Sequence, residues 1–160
     1  RLDDERPSGG TAIYDAIAAS TSMFGRRQRT RAAMIVISDG ADTASDRSLS
    51  QTRELLRRSD AFVYAIVIDS ATEHRVSTRV SPEALREITG PSGGYTEVVR
   101  SAEDLGPATQ RIAEELNSQY MLGYATTRPQ DGSWRALRVR VRHDGYIARA
   151  RRGYFATSQP

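Results

Sequence analysis

AAMIVISDG, residues 32–40, is a short run of apolar and β-branched residues cut off by Ser-Asp-Gly. A run with no polar residue before its end reads as a strand buried on both faces of a parallel sheet. The flanking segments follow the same logic. Upstream, TAIYDAIAASTSMF (11–24) places Ile13, Ala16, Ile17, Ser20, Met23 and Phe24 at helical spacing, and the basic loop GRRQRTR (25–31) joins this helix to the strand. Downstream, residues 48–59 read as a helix with Leu49, Thr52, Leu55 and Leu56 inward, and AFVYAIVID (61–69) supplies a second buried strand. SPEALREITG (81–90) is a helix with Ser81 as N-cap, Pro82 in the first position and Gly90 just past the end. GYTEVV (94–99) is a third strand, after which Ser101 caps a longer helix through Leu105, Ala108, Ile112 and Leu116. Strands alternating with helices predict an α/β fold, an open parallel sheet with flanking helices and right-handed crossovers.

Residues 119–160 have another rhythm. QYMLGYATT, the turn RPQDGS, WRALRVRVR, the turn HDG and YIARARRGYF predict three strands in an antiparallel β-meander. In the middle strand Leu137, Val139 and Val141 fall on one face and Arg138, Arg140 and Arg142 on the other, one face core and one wet. Tyr120, Tyr124, Tyr146 and Tyr154 are expected to pack within this meander. The division is therefore an α/β body over 1–118 and a β-rich extension over 119–160. Charge divides the same way: the body has 15 arginines against 18 acids, the extension 8 against 2.

Composition narrows the chemistry. The 160 residues, 38% of them hydrophobic, suffice for one ordinary core and an appendage. The longest apolar runs fall far short of a spanning helix, which needs about 20 residues. The chain begins at Arg1 and shows no signal peptide, which leaves an upstream piece open. With no cysteine, disulfides, thiolate-held metals and thiol nucleophiles are excluded. All 23 basic residues are arginine, which excludes a lysine-dependent phosphate loop and Schiff-base chemistry.

The candidate site follows from the topology. Ligands of parallel α/β sheets collect beyond the carboxyl ends of the strands, where Asp39 stands, and Thr11 opens the helix whose N-terminus faces the same edge. A hydroxyl and a carboxylate there suit a hard divalent cation, Mg2+ first, then Mn2+ or Ca2+. Gly9 and Gly10 let the backbone pass close to such an ion, and Ser38, Gly40 and Asp42 support the loop. Read singly, Thr11 is a helix N-cap and Asp39 shapes a turn. Asp42 and Thr43 read as caps of the next helix, Asp15 as a partner of the helix dipole or of a local charge, and His74 and His143 as solvated. The tetrad PSGG occurs at 7–10 and again at 91–94, in dissimilar contexts.

SGGTAIYDAI followed by VISDGADT resembles the second and third metal-binding loops of a von Willebrand factor type A domain, and the extension resembles that of a bacterial subgroup of the family. The resemblance implies a Rossmann-like, partial domain of this type. It also implies that Thr11 and Asp39 belong to a metal-ion-dependent adhesion site, and that the setting is outside the cytoplasm. The family carries its DxSxS loop on a strand ahead of these motifs, and no DxSxS precedes them in this sequence. Two expectations follow. Metal binding by this chain alone is weak or absent, and AAMIVIS exposes an apolar edge covered by an N-terminal segment or by a second copy. The function implied is protein–protein interaction, adhesion or scaffolding, with an acidic side chain of a partner meeting the ion, and no catalysis. The alternatives are a phosphate-ligand enzyme fragment using PSGGT, and an anionic-surface or nucleic-acid binder using the arginine-rich tail.

Overall fold

The computed structural model describes residues 9–24, 32–39, 41–69 and 81–157. Within them the elements run α1 (Ile13–Phe24), β1 (Ala32–Ser38), α2 (Leu49–Arg57), β2 (Ala61–Ile68), α3 (Pro82–Ser92), β3 (Thr96–Val99), α4 (Ala102–Asn117), β4 (Trp134–Ala136) and β5 (Gly153–Phe155). The first three strands pair in parallel in the order β1-β2-β3, and β4 and β5 form a separate antiparallel pair. The fold is α/β, as the alternation of elements predicts. The loop 25–31, Gly40, His74 and the first two residues of the tetrad at 7–10 lie outside the described residues.

The unbroken apolar run of β2 reflects cover on both faces. Val63, Ala65 and Val67 meet Ile13 and Ile17 of α1, Met34 of β1, Leu56 of α2, and Leu85 and Ile88 of α3. Tyr64 and Ile66 turn the other way, onto Ala108 and Ile112 of α4 and Val99 of β3. Burying each of the valine, leucine, isoleucine and methionine side chains contributes about 1.5–3 kcal/mol. The Tyr64 hydroxyl donates to Glu115 Oε1 at 3.1 Å. Burial, then the Glu115 charge, pushes the phenol up to about 12 from its ordinary 10.0. Unfolded chains lose this proton first as pH rises, so the contribution of Tyr64 is complete below pH 10 and declines above it. Alkaline absorbance titration of the native chain against Tyr64→Phe should remove one late-ionising phenol.

β1 corrects the expectation of burial on both faces. Met34 is buried against α1, but Ile35 and Ile37 are 44% and 55% exposed although they stand beside Tyr64 and Ile66. Helix α4 packs on β2 and β3, leaving the same face of β1 bare. β1 is also an edge strand: among the described residues β2 is its one neighbour.

α3 runs past Gly90, where the sequence predicts its end. Pro91 brings no N–H, but the Ser92 hydroxyl donates to Thr89 O at 2.7 Å, and the chain leaves the helix at Gly93, whose φ is +97°. Ser81 makes no side-chain bond to the helix, so its start rests on Pro82. The second PSGG is thus a helix end pinned to the sheet: Ser92 Oγ also accepts from Val63 N at 2.9 Å. α2 has a reciprocal cap, Gln51 N to Ser48 Oγ at 3.3 Å and Ser48 N to Gln51 Oε1 at 2.8 Å.

The tail forms an antiparallel sheet, as expected, with two short strands where three were predicted. Trp134 faces Phe155 across the ladder, and one more bond, Leu137 N to Arg152 O at 2.8 Å, extends it. Residues 120–127 and 138–142 have strand-like sequence but no ladder partner among the described residues, and a strand exists only where a neighbour takes its backbone bonds. Tyr120, Tyr124 and Tyr146 are exposed instead of packed, although the Tyr124 hydroxyl donates to that of Tyr154 at 2.7 Å.

The tail is fastened to the body by arginines. Arg151 pairs with Asp60 and donates to Ser59 O at 2.9 Å; Arg149 pairs with Glu115 at 3.0 Å and lies over the Tyr95 ring. From the body, Arg57 covers Trp134 and Arg58 covers Phe155, at 4.2 and 4.8 Å from the ring centroids. A cavity of about 200 Å3 remains at this junction between Leu56, Ile88, Pro91, Trp134 and Arg152. No described helix is long and apolar enough to cross a membrane.

Candidate functional site

The rim at the carboxyl end of β1 is built from two loops that clasp each other. Thr11 N donates to Thr43 Oγ1 at 2.8 Å, and Thr43 N returns a bond to Thr11 O at 2.8 Å. This approach requires Gly10, since a Cβ there would lie 2.8 Å from Ala44 Cβ and 2.9 Å from Thr43 Oγ1. The close passage expected of the glycines is therefore between Gly10 and the side chains of Thr43 and Ala44. Gly9 takes φ +87° in open space.

Asp42 holds the centre of the clasp. Its Oδ2 accepts from Tyr14 N at 2.9 Å and from the Ser45 hydroxyl at 2.7 Å, while Oδ1 accepts from Ser45 N at 3.2 Å. Burial opposes its charge, but the Ser45 hydroxyl and the backbone amides of Tyr14, Ser45 and Ile13 outweigh it and hold the carboxyl below its ordinary 3.8. This corrects the expected role. Asp42 and Thr43 serve the N-terminus of α1, with Asp42 placing a negative charge at the positive end of that helix; α2 is capped by Ser48. Asp15 likewise reaches across, its oxygens accepting from Asp46 N at 2.8 Å and Arg47 N at 3.3 Å, while Asp15 N donates to Ser45 Oγ. The signal for this clasp was the dense run of short hydroxyl and carboxyl side chains in DTASD, 42–46, which the expectation of a local cap left unused.

Thr11 and Ser38 line one shallow groove of about 350 Å3 between α1 and β1, floored by Ile13, Ile17, Met34 and Val36. Asp39, the residue after Ser38, is exposed; its Oδ1 accepts from Ala41 N at 3.2 Å and from the Ser38 hydroxyl at 3.3 Å. The sequence-predicted hydroxyl and carboxylate thus belong to one edge of the sheet. Their fit to a divalent cation is incomplete. Mg2+ takes six oxygens in near-octahedral array, and Asp42, the next carboxylate along, has both oxygens committed to the clasp. No group of three acidic or histidine side chains among the described residues could hold a metal. Thr11 and Asp39 offer one hydroxyl and one carboxylate, short of that array.

The same bonds bear on the phosphate alternative. Amides of the α1 start that would face a phosphate, those of Thr11, Tyr14 and Asp15, are already given to Thr43, Asp42 and Ser45. His143 is exposed, its ring against Tyr146.

Compared with protein-family models, curated proteins and solved structures, the chain has no match.

Proposed function

We propose that the chain is a protein-interaction or scaffolding module of the von Willebrand factor type A kind, completed by strand addition at β1. One observation supports this above the others: β1 is a seven-residue apolar strand with no charge and no proline, with one edge that has no strand beside it among the described residues and a bare face at Ile35 and Ile37. Natural edge strands are ordinarily blunted by charge, proline or bulges, and an edge left flat and apolar is a template for another chain. The groove between α1 and β1 leads to Thr11 and Ser38 at the rim, so an added parallel strand would bring its own carboxyl end beside Thr11 and Asp39. The resemblance names what such a strand would add, the oxygens of a DxSxS loop. On this reading Mg2+ is held weakly or not at all by this chain alone, and no catalytic step is assigned.

The experiment adds a synthetic apolar strand peptide ending in Asp-x-Ser-x-Ser to the purified chain. Slowed amide exchange across β1, together with Mg2+ binding that appears only when the peptide is present, is the expected result. A monodisperse monomer whose β1 amides already exchange slowly without any peptide would overturn the proposal.

A further inference from the structure

We propose that residues 137–142, LRVRVR, are a receptor strip for an extended polypeptide segment in which acidic and apolar residues alternate. This surface is separate from β1, and the proposal holds whether or not β1 is an interaction edge.

The strip begins as a strand and then loses its partner. β4 is paired through Ala136, and Leu137 N adds a bond to Arg152 O; beyond it, residues 138–142 make no backbone hydrogen bond among the described residues. Their side chains are as bare as their backbone: Val139 and Val141 are 42% and 47% exposed, and Arg138, Arg140 and Arg142 are exposed. Three of the other five tail arginines have carboxylates, Arg135 with Asp131, Arg149 with Glu115 and Arg151 with Asp60. The three of the strip have none among the described residues. The tail contains two acids, and Asp131 is already held by Arg135 and Ser133.

The chemistry of the occupant follows from the period. Alternation at every second residue sends valine and arginine to opposite faces of an extended backbone. A partner strand satisfies three things together: the unpaired amides and carbonyls, the valines through cross-strand apolar contacts, and the arginines through carboxylates placed opposite. A bilayer would satisfy the valines and arginines but leave extended backbone without hydrogen bonds. A nucleic acid would answer the arginines and leave the valine row in water. The β4–β5 pair, tied to the body through Arg151 and Arg57, presents the strip from a fixed base.

The test titrates the whole chain calorimetrically with short peptides of alternating valine and glutamate, alternating valine and lysine, and glutamate alone, and records far-UV circular dichroism of each mixture. The valine–glutamate peptide alone should bind, with a gain of strand signal. Changing Arg138→Gln, Arg140→Gln and Arg142→Gln together should weaken it by about tenfold, and the exposed positions leave the helical signal of the body as a check on folding. Equal binding of glutamate alone would overturn the proposal in favour of simple charge attraction. Failure with the valine–glutamate peptide overturns it outright, as does retention by phosphatidylglycerol vesicles or RNA that the peptide cannot displace.

Discussion

Gly94→Ala should destabilise the chain by about 3 kcal/mol or more, moving the urea midpoint far to the left. A Cβ at this position would stand 2.0 Å from Val63 O and 2.8 Å from Val63 C. Both atoms belong to the backbone of the central strand, so relief requires β2 or the end of α3 to shift as a unit. Either movement disturbs the bond from Val63 N to Ser92 Oγ and the packing of Val63, which is fully buried. Gly123→Ala is the matched control: nothing lies within 4 Å of a Cβ there, and its midpoint should stay within about 0.5 kcal/mol of the parent. Equal midpoints for the two variants would mean that the junction of α3 with β2 is looser than described.

Asp42→Ala should cost about 2 kcal/mol at neutral pH, the combined loss of a helix cap and of acceptors for part-buried amides. The sign with pH is fixed by the depressed native pKa. The unfolded carboxyl protonates near 3.8 and the native one lower, so the stabilisation is full above that window and fades as pH falls through the native value. Unfolding curves of parent and variant should therefore converge in acid and separate above about pH 4. A gap independent of pH would show that the carboxylate's charge is not what the α1 start requires.

Much of the body was legible because its signals are local and repeated. The helical spacing of Ile13 and Ile17, the apolar run of β2, and the Ser101 start each state their element within a few residues. The rim was partly legible: the order of strand and helix is enough to bring Thr11 and Ser38 to one edge. What escaped was long-range. Asp42 serves amides 28 positions away, and Asp15 accepts from an amide 31 positions away; a run of aspartate, threonine and serine reads equally well as a cap for the nearer helix. The burial of β1 was misread for a related reason, since an apolar run reports that its faces are suited to cover and cannot say which helix supplies it. The tail shows the limit of period-two patterns. LRVRVR has the sequence of a strand, but the ladder is a property of two segments, and among the described residues the second is not beside 138–142.

The junction of tail and body has an optical consequence. Trp134 is the sole tryptophan of the chain, and it sits where Arg57, Phe155 and the Gly153 backbone meet. Emission excited selectively at the indole therefore reports the environment of one place, the seam itself. A red shift and altered quenching that precede loss of ellipticity would resolve peeling of the extension from melting of the α/β body, without any attached label.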